Sequence, residues 1–140
     1  MLGLKATTCA GWAPLAARNL DAVLVDHAHC ELKAAANALS LAGRSPDFPE
    51  VAMRLIDVAE EEIGHYREVM SELSRRGVAL GKPPVDGYVA ELIRRAQASA
   101  RSRSARSSLS DRLLVGALIE ARSCERFRLL ADALVAAGGG

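Results

Sequence analysis

Glu62 and His65 stand three residues apart in "EEEIGHYREVM", and at that spacing a carboxylate and an imidazole lie side by side on one face of a helix. Helix bundles that hold iron or manganese use this pair of ligand types. An isolated Glu-x-x-His arises by chance in many helices. This one lies within an apolar stripe of Val51, Leu55, Val58, Ala59, Tyr66, Val69 and Leu73, while Glu60 and Glu61 point away or to the flank. Two further carboxylates repeat the placement. Glu31, in "LVDHAHCELKAA", lies within about 60° of Leu20, Leu24, His27, Ala28, Ala34, Ala35 and Ala38 on an ideal helix. Glu120 is surrounded in the same way by Leu113, Gly116, Ala117, Cys124, Phe127, Ala131 and Leu134. An unpaired carboxylate on a buried face costs several kcal/mol or takes up a proton. A cation shared by Glu31, Glu62, His65 and Glu120 is the expected partner. The plainer alternative gives each glutamate its own interhelical hydrogen-bond donor.

Other polar residues are placed to stand behind these ligands. His27, one turn before Glu31, is either a donor to that carboxylate or a packed core histidine. Tyr66, one turn beyond Glu62, and Cys124, one turn beyond Glu120, are similarly placed; Tyr66 also reads as core, and Cys30 and Cys124 as small buried fillers. His29 projects to the far side of its helix and is expected to be solvated. Glu125 projects away from Glu120, beside Arg122 and Arg128, either as an ion-paired group or as one that stands behind a ligand. Carboxylate bundles for two metals take one glutamate from each of two helices and a Glu-x-x-His from each of two others. Glu31 and Glu120 supply the single glutamates and Glu62/His65 one pair; no histidine follows His65, so the second pair is absent.

Helices must position these residues. The 140-residue chain is half apolar, rich in alanine and leucine and only 4% aromatic, the vocabulary of packed helices rather than sheets. Its length fits one domain, 1–140. One long helix is predicted from about Pro14 to Ala42, a second from Pro49 to about Arg76 with Gly77 as its stop, and a third from about Ser110 to Ala136 behind the cap Ser108-x-x-Asp111. "YVAELIRRAQ" reads as a short connecting helix. The class is all-α, an antiparallel bundle whose fourth core helix is missing. A net charge of +1 demands no acidic partner for the chain as a whole. No apolar run reaches membrane-spanning length. Cysteines at 9, 30 and 124, with no CxxC, suit an intracellular, reducing setting and argue against a zinc knuckle.

The strings "NLDAVLVDHAHCELKAAANALSL", "EEEIGHYREVM" and "DRLLVGALIEARSCERFRLLA" closely resemble the tRNA-(2-methylthio-N6-isopentenyladenosine) hydroxylases, and the resemblance covers nearly the whole chain. It implies a ferritin-like fold and a non-haem di-iron monooxygenase that hydroxylates the isopentenyl group of the modified adenosine beside the anticodon. It also implies iron ligation by Glu31, Glu62, His65 and Glu120, two iron ions per complete site, dioxygen as co-substrate and cytoplasmic location. Electrons would come from an external reductase, since the chain carries no flavin or iron–sulfur motif. Family members continue into a helix with the second Glu-x-x-His, where this chain ends in "LVAAGGG", so a C-terminally truncated domain is expected.

The substrate would be a tRNA anticodon stem-loop. Arg94, Arg95, Arg101, Arg103 and Arg106 form a stretch without acids that could meet its phosphates, or a solvated Ser/Arg loop. Two other readings stand beside the enzyme: a non-catalytic or degenerate ferritin-like fragment that binds metal weakly or not at all, and a metal-free helical protein that self-associates through an exposed apolar face.

Overall fold

Asn19 interrupts what the apolar period reads as one helix. Its backbone leaves the helical region at φ −127° and ψ 41°, and its side-chain amide donates to the Leu15 carbonyl at 2.8 Å. Short amide side chains compete for backbone groups in this way, which is why asparagine favours helix ends. A computed structural model describes residues 4–83, 91, 94–95 and 105–138, without the side chains of 105–108. Among these lie four helices and no strand: α1 (Trp12–Arg18), α2 (Leu20–Gly43), α3 (Pro49–Arg76) and α4 (Ala105–Ala136). The all-α class holds. The expectation of a missing fourth helix does not, because the first predicted helix is two.

The other boundaries follow local chemistry more closely. Pro49 opens α3, where its missing N–H is no loss. Gly77 closes it in the left-handed region at φ 68°, and the Gly77 and Val78 amides return to the carbonyls of Ser74 and Leu73 at 3.0 and 2.9 Å. Helix α4 starts earlier than predicted, so the expected cap at Ser108 and Asp111 falls inside it. Of the short connecting helix only Glu91, Arg94 and Arg95 are described, and they are helical.

The chain divides into two units, Leu20–Pro84 and Met1–Asn19 with Val85–Gly140. In the first, α2 and α3 form an antiparallel hairpin. Ala28, Val69 and Leu73 make its core, with Leu24, Val25, Tyr66, Met70, Val78 and Leu80 packed against them. Ala28 and Leu73 are fully buried, and the alanines of α2 let α3 approach closely. The helix ends are tied by charge. Arg75 and Arg76 donate to Glu72, and Arg76 also reaches Asp21 at the start of α2 at 3.1 Å.

Hydrogen bonds from Arg75 and then Arg76 hold the Glu72 carboxyl down at about 2, against 4.5 ordinarily. A depressed carboxylate contributes stability that is complete above its unfolded pKa and is lost as pH falls through the folded one. The thermal midpoint of the metal-free chain is therefore expected to fall between about pH 4.5 and about pH 2. Glu72→Gln should flatten part of that fall in circular-dichroism melts, modestly, because the pair is exposed. An unchanged acid profile would remove Glu72 from the account.

In the second unit, the N-terminal segment and α1 pack on α4. The Thr8 amide and hydroxyl donate to the two oxygens of Glu125 at 3.1 and 2.8 Å. Arg122 pairs with Glu125 and donates to the Ala6 carbonyl at 2.8 Å. The Arg126 guanidinium lies 5.4 Å from the centre of the Trp12 ring, a cation–π distance. The Thr8 hydroxyl, against the opposing effect of burial and with help from the Thr8 amide and Arg122, holds the Glu125 carboxyl below its ordinary range. Glu125 is thus ion-paired as expected; Thr8 as its partner carries no sequence signal.

Two burial expectations are corrected. The face of α4 around Glu120 is open: Leu113 and Phe127 are 39% and 38% exposed, Cys124 is exposed rather than a buried filler, and Leu130 is the buried residue among those described on this helix. Helix α4 makes its bonds to the N-terminal segment through Arg122 and Glu125, away from Glu120. His29, expected to be solvated, is buried, and its Nε2 has no hydrogen-bond partner among the described residues. A projection assigns α2 one inward face, whereas both Ala28 and the neighbouring His29 are covered.

Candidate metal centre

Residues Glu31, Glu62 and His65 converge from two helices. Each offers a ligand atom within 4.8 Å of the other two. His65 Nδ1 is 3.5 Å from Glu62 Oε2 and 3.8 Å from Glu31 Oε2. Donor atoms around one first-row ion stand about 3–4 Å apart, since each bond is about 2 Å long. The cluster therefore has the dimensions of a metal site, and two carboxylates with one imidazole suit iron or manganese.

Local structure explains the convergence. The i, i+3 spacing sets Glu62 beside His65 on α3, and Ala28 and Ala35, one turn either side of Glu31, are buried where the helices meet. Leu55 and Val69, two turns either side of Glu62, are buried too. Apolar packing thus covers the side of the cluster within the hairpin, while the His65 side chain stays 47% exposed.

Electrostatics hold negative charge at the cluster and a proton on its imidazole. Burial would raise the Glu31 carboxyl. Hydrogen bonds from His27 and Glu62, with the charges of His27 and His65, outweigh it and hold Glu31 at about 2. Burial opposes a charge on His65, but the Glu62 hydrogen bond and the charges of Glu31, Glu62 and Glu61 raise it above its ordinary 6.5. Two carboxyls in contact cannot both ionise cheaply unless a proton or a cation lies between them.

The neighbours nominated by the sequence separate clearly. His27 Nδ1 lies 2.9 Å from Glu31 Oε1, where it orients the carboxylate. Tyr66 packs against the Ala28–Val69–Leu73 core. Glu120 belongs to the other unit, exposed on α4, and its Oε1 accepts from the Cys124 thiol at 3.3 Å. That bond, with burial and the Glu120 charge, pushes the thiol up. Arg94 and Arg95 are exposed and both donate to Glu91 at 2.7 Å, so part of the predicted positive stretch is paired. Arg101, Arg103 and the Arg106 side chain lie outside the described residues. No helix among the described residues is long and apolar enough to cross a membrane.

A protein named tRNA 2-(methylsulfanyl)-N(6)-isopentenyladenosine(37) hydroxylase from Pseudomonas putida is 37% identical over 119 residues, covering 85% of this chain and 56% of its own length. One of the same name from Salmonella typhimurium is 26% identical over 161 residues, covering 81% of this chain and 58% of its own length. The chain spans about half the length of these curated relatives. The family model described as tRNA-(MS[2]IO[6]A)-hydroxylase (MiaE) matches residues 2–137, and the chain belongs to that family.

Proposed function

We propose that this chain acts in the oxygen-dependent hydroxylation of the isopentenyl group of 2-methylthio-N6-isopentenyladenosine in tRNA, at a non-haem iron centre held by Glu31, Glu62 and His65. The observation that carries this reading is the meeting of two carboxylates and one imidazole within 4.8 Å on an α2–α3 hairpin, in a chain of this family. Iron in such a site supplies activation of dioxygen for attack on an unactivated C–H bond, which no side chain can perform. Two iron ions per complete centre and an external reductase as electron donor belong to the same proposal. Its tRNA substrate implies a cytoplasmic setting.

The residues of this chain have definable tasks. Glu31 and Glu62 supply negative charge, and His65 supplies the nitrogen ligand. His27 fixes the orientation of Glu31 through the 2.9 Å bond to Oε1. Leu55, Ala28 and Val69 keep water from the hairpin side of the cluster. The exposed side of His65 leaves an approach for a substrate group.

Nucleoside mass spectrometry of tRNA tests the proposal. In a host lacking its own hydroxylase, expression of this chain is expected to add one oxygen to the isopentenyl nucleoside. Iron-loaded chain that leaves the nucleoside unchanged would favour a metal-binding, non-catalytic module instead.

A further inference from the structure

Arg122 and Arg126 stand one turn apart on α4, in the unit that also contains α1, and they are used differently. Arg122 is consumed by its surroundings: it pairs with Glu125 and donates to the Ala6 carbonyl and the Thr8 hydroxyl. The Arg126 guanidinium lies 5.4 Å from the centre of the Trp12 ring, and among the described residues no carboxylate pairs with it. Stacking on an indole engages the face of a guanidinium and none of its five N–H donors, which point outward in its plane. The ring also restricts the side chain, so less freedom is lost when those donors are used. We propose that Arg126, seated on Trp12, contacts a backbone phosphate of the tRNA substrate, so that the joint between α1 and α4 grips the RNA. This rests on the tRNA substrate of the reading above and deepens it by naming a surface that holds it.

Charge and shape select the partner. Arg126 shares the joint with Arg122, Glu125 and Lys5, the last held there by its neighbour Ala6, whose carbonyl accepts from Arg122. Together these four side chains carry an excess of two positive charges, in a chain whose net charge is +1. A phosphodiester is complementary on both counts: it brings one negative charge, and its two outer oxygens match the edge of a guanidinium. The stretch that the sequence nominates for phosphates fits less well where it is described, because Arg94 and Arg95 already donate to Glu91.

Trp12 is the single tryptophan of the chain, so its emission reports on the joint directly. Titrating an anticodon stem-loop RNA into the full-length chain is expected to shift that emission. Anisotropy of the labelled RNA then gives the affinity at several salt concentrations. Each phosphate contact contributes about 0.7–0.9 to the slope of log affinity against log salt. Arg126→Gln should therefore weaken binding and lower that slope by about 0.7–0.9, whereas Arg126→Lys, which keeps the charge, should keep the slope. Arg75→Gln, at a guanidinium already bound to Glu72, should leave it unchanged. Circular dichroism checks that each variant keeps its helices.

An unchanged slope in Arg126→Gln would overturn the proposal, as would an equal fall in Arg75→Gln or a stem-loop that does not bind. A Trp12 response to polyglutamate but not to RNA would overturn it too, and would assign the joint to an acidic protein. If Arg126→Gln lowers the slope but tRNA gains no oxygen in the hydroxylase-null host, the phosphate contact stands and the hydroxylase reading falls. Oxygen gained with an unaltered slope sinks the contact alone.

Discussion

Replacing Glu62 with alanine is expected to weaken Mn(II) or Fe(II) binding at least about 100-fold while leaving the helix content unchanged. Loss of a group that merely supports a ligand typically costs about 10–100-fold in affinity, and Glu62 is itself one of two carboxylates in the cluster. Alanine is the best helix former, so α3 has no local reason to melt. Anaerobic titration calorimetry measures the affinity and circular dichroism the helix. His27→Ala supplies the graded comparison: it removes the donor to Glu31 Oε1 and should cost about tenfold. Full affinity in the Glu62 variant would mean that its carboxylate serves only the apo hairpin.

Leu73→Ala is expected to be the most damaging of the conservative core changes, at about 2–5 kcal/mol. Leu73 is fully buried with Ala28 and Val69, and its backbone carbonyl accepts the Val78 amide that closes α3. A core built on alanine has little else to fill the space, so truncation leaves a cavity rather than a collapsed site. Leu114→Ala, at a residue 62% exposed, should stay within about 0.5 kcal/mol. Urea unfolding of both variants checks the contrast. Equal losses would mean that the α2–α3 packing is not where the stability of this chain resides.

Much of the site could be read without coordinates because helix geometry is local. The i, i+3 spacing of Glu62 and His65, the proline and glycine bounding α3, and the apolar residues around Glu31 all act within a few turns, and each recurs in the structure. His27 beside Glu31 follows from the same one-turn rule. The break at Asn19 was also local, but two helices and one share the same apolar period, so the side-chain bond to Leu15 is what distinguishes them.

What periodicity could not assign was the partner of each face. A projection of α4 gives no sign that the helix binds the N-terminal segment through Arg122 and Glu125. His29 is a second case, polar and off the main stripe yet buried. The amino-acid sequence by itself determined the all-α class, the bounds of α3 and the family. Only the tertiary structure decided that α3 meets α2 so as to bring Glu31 within reach of Glu62 and His65. The reason is physical: periodicity records which side of a helix avoids water, while the choice of partner depends on contacts between residues far apart along the chain.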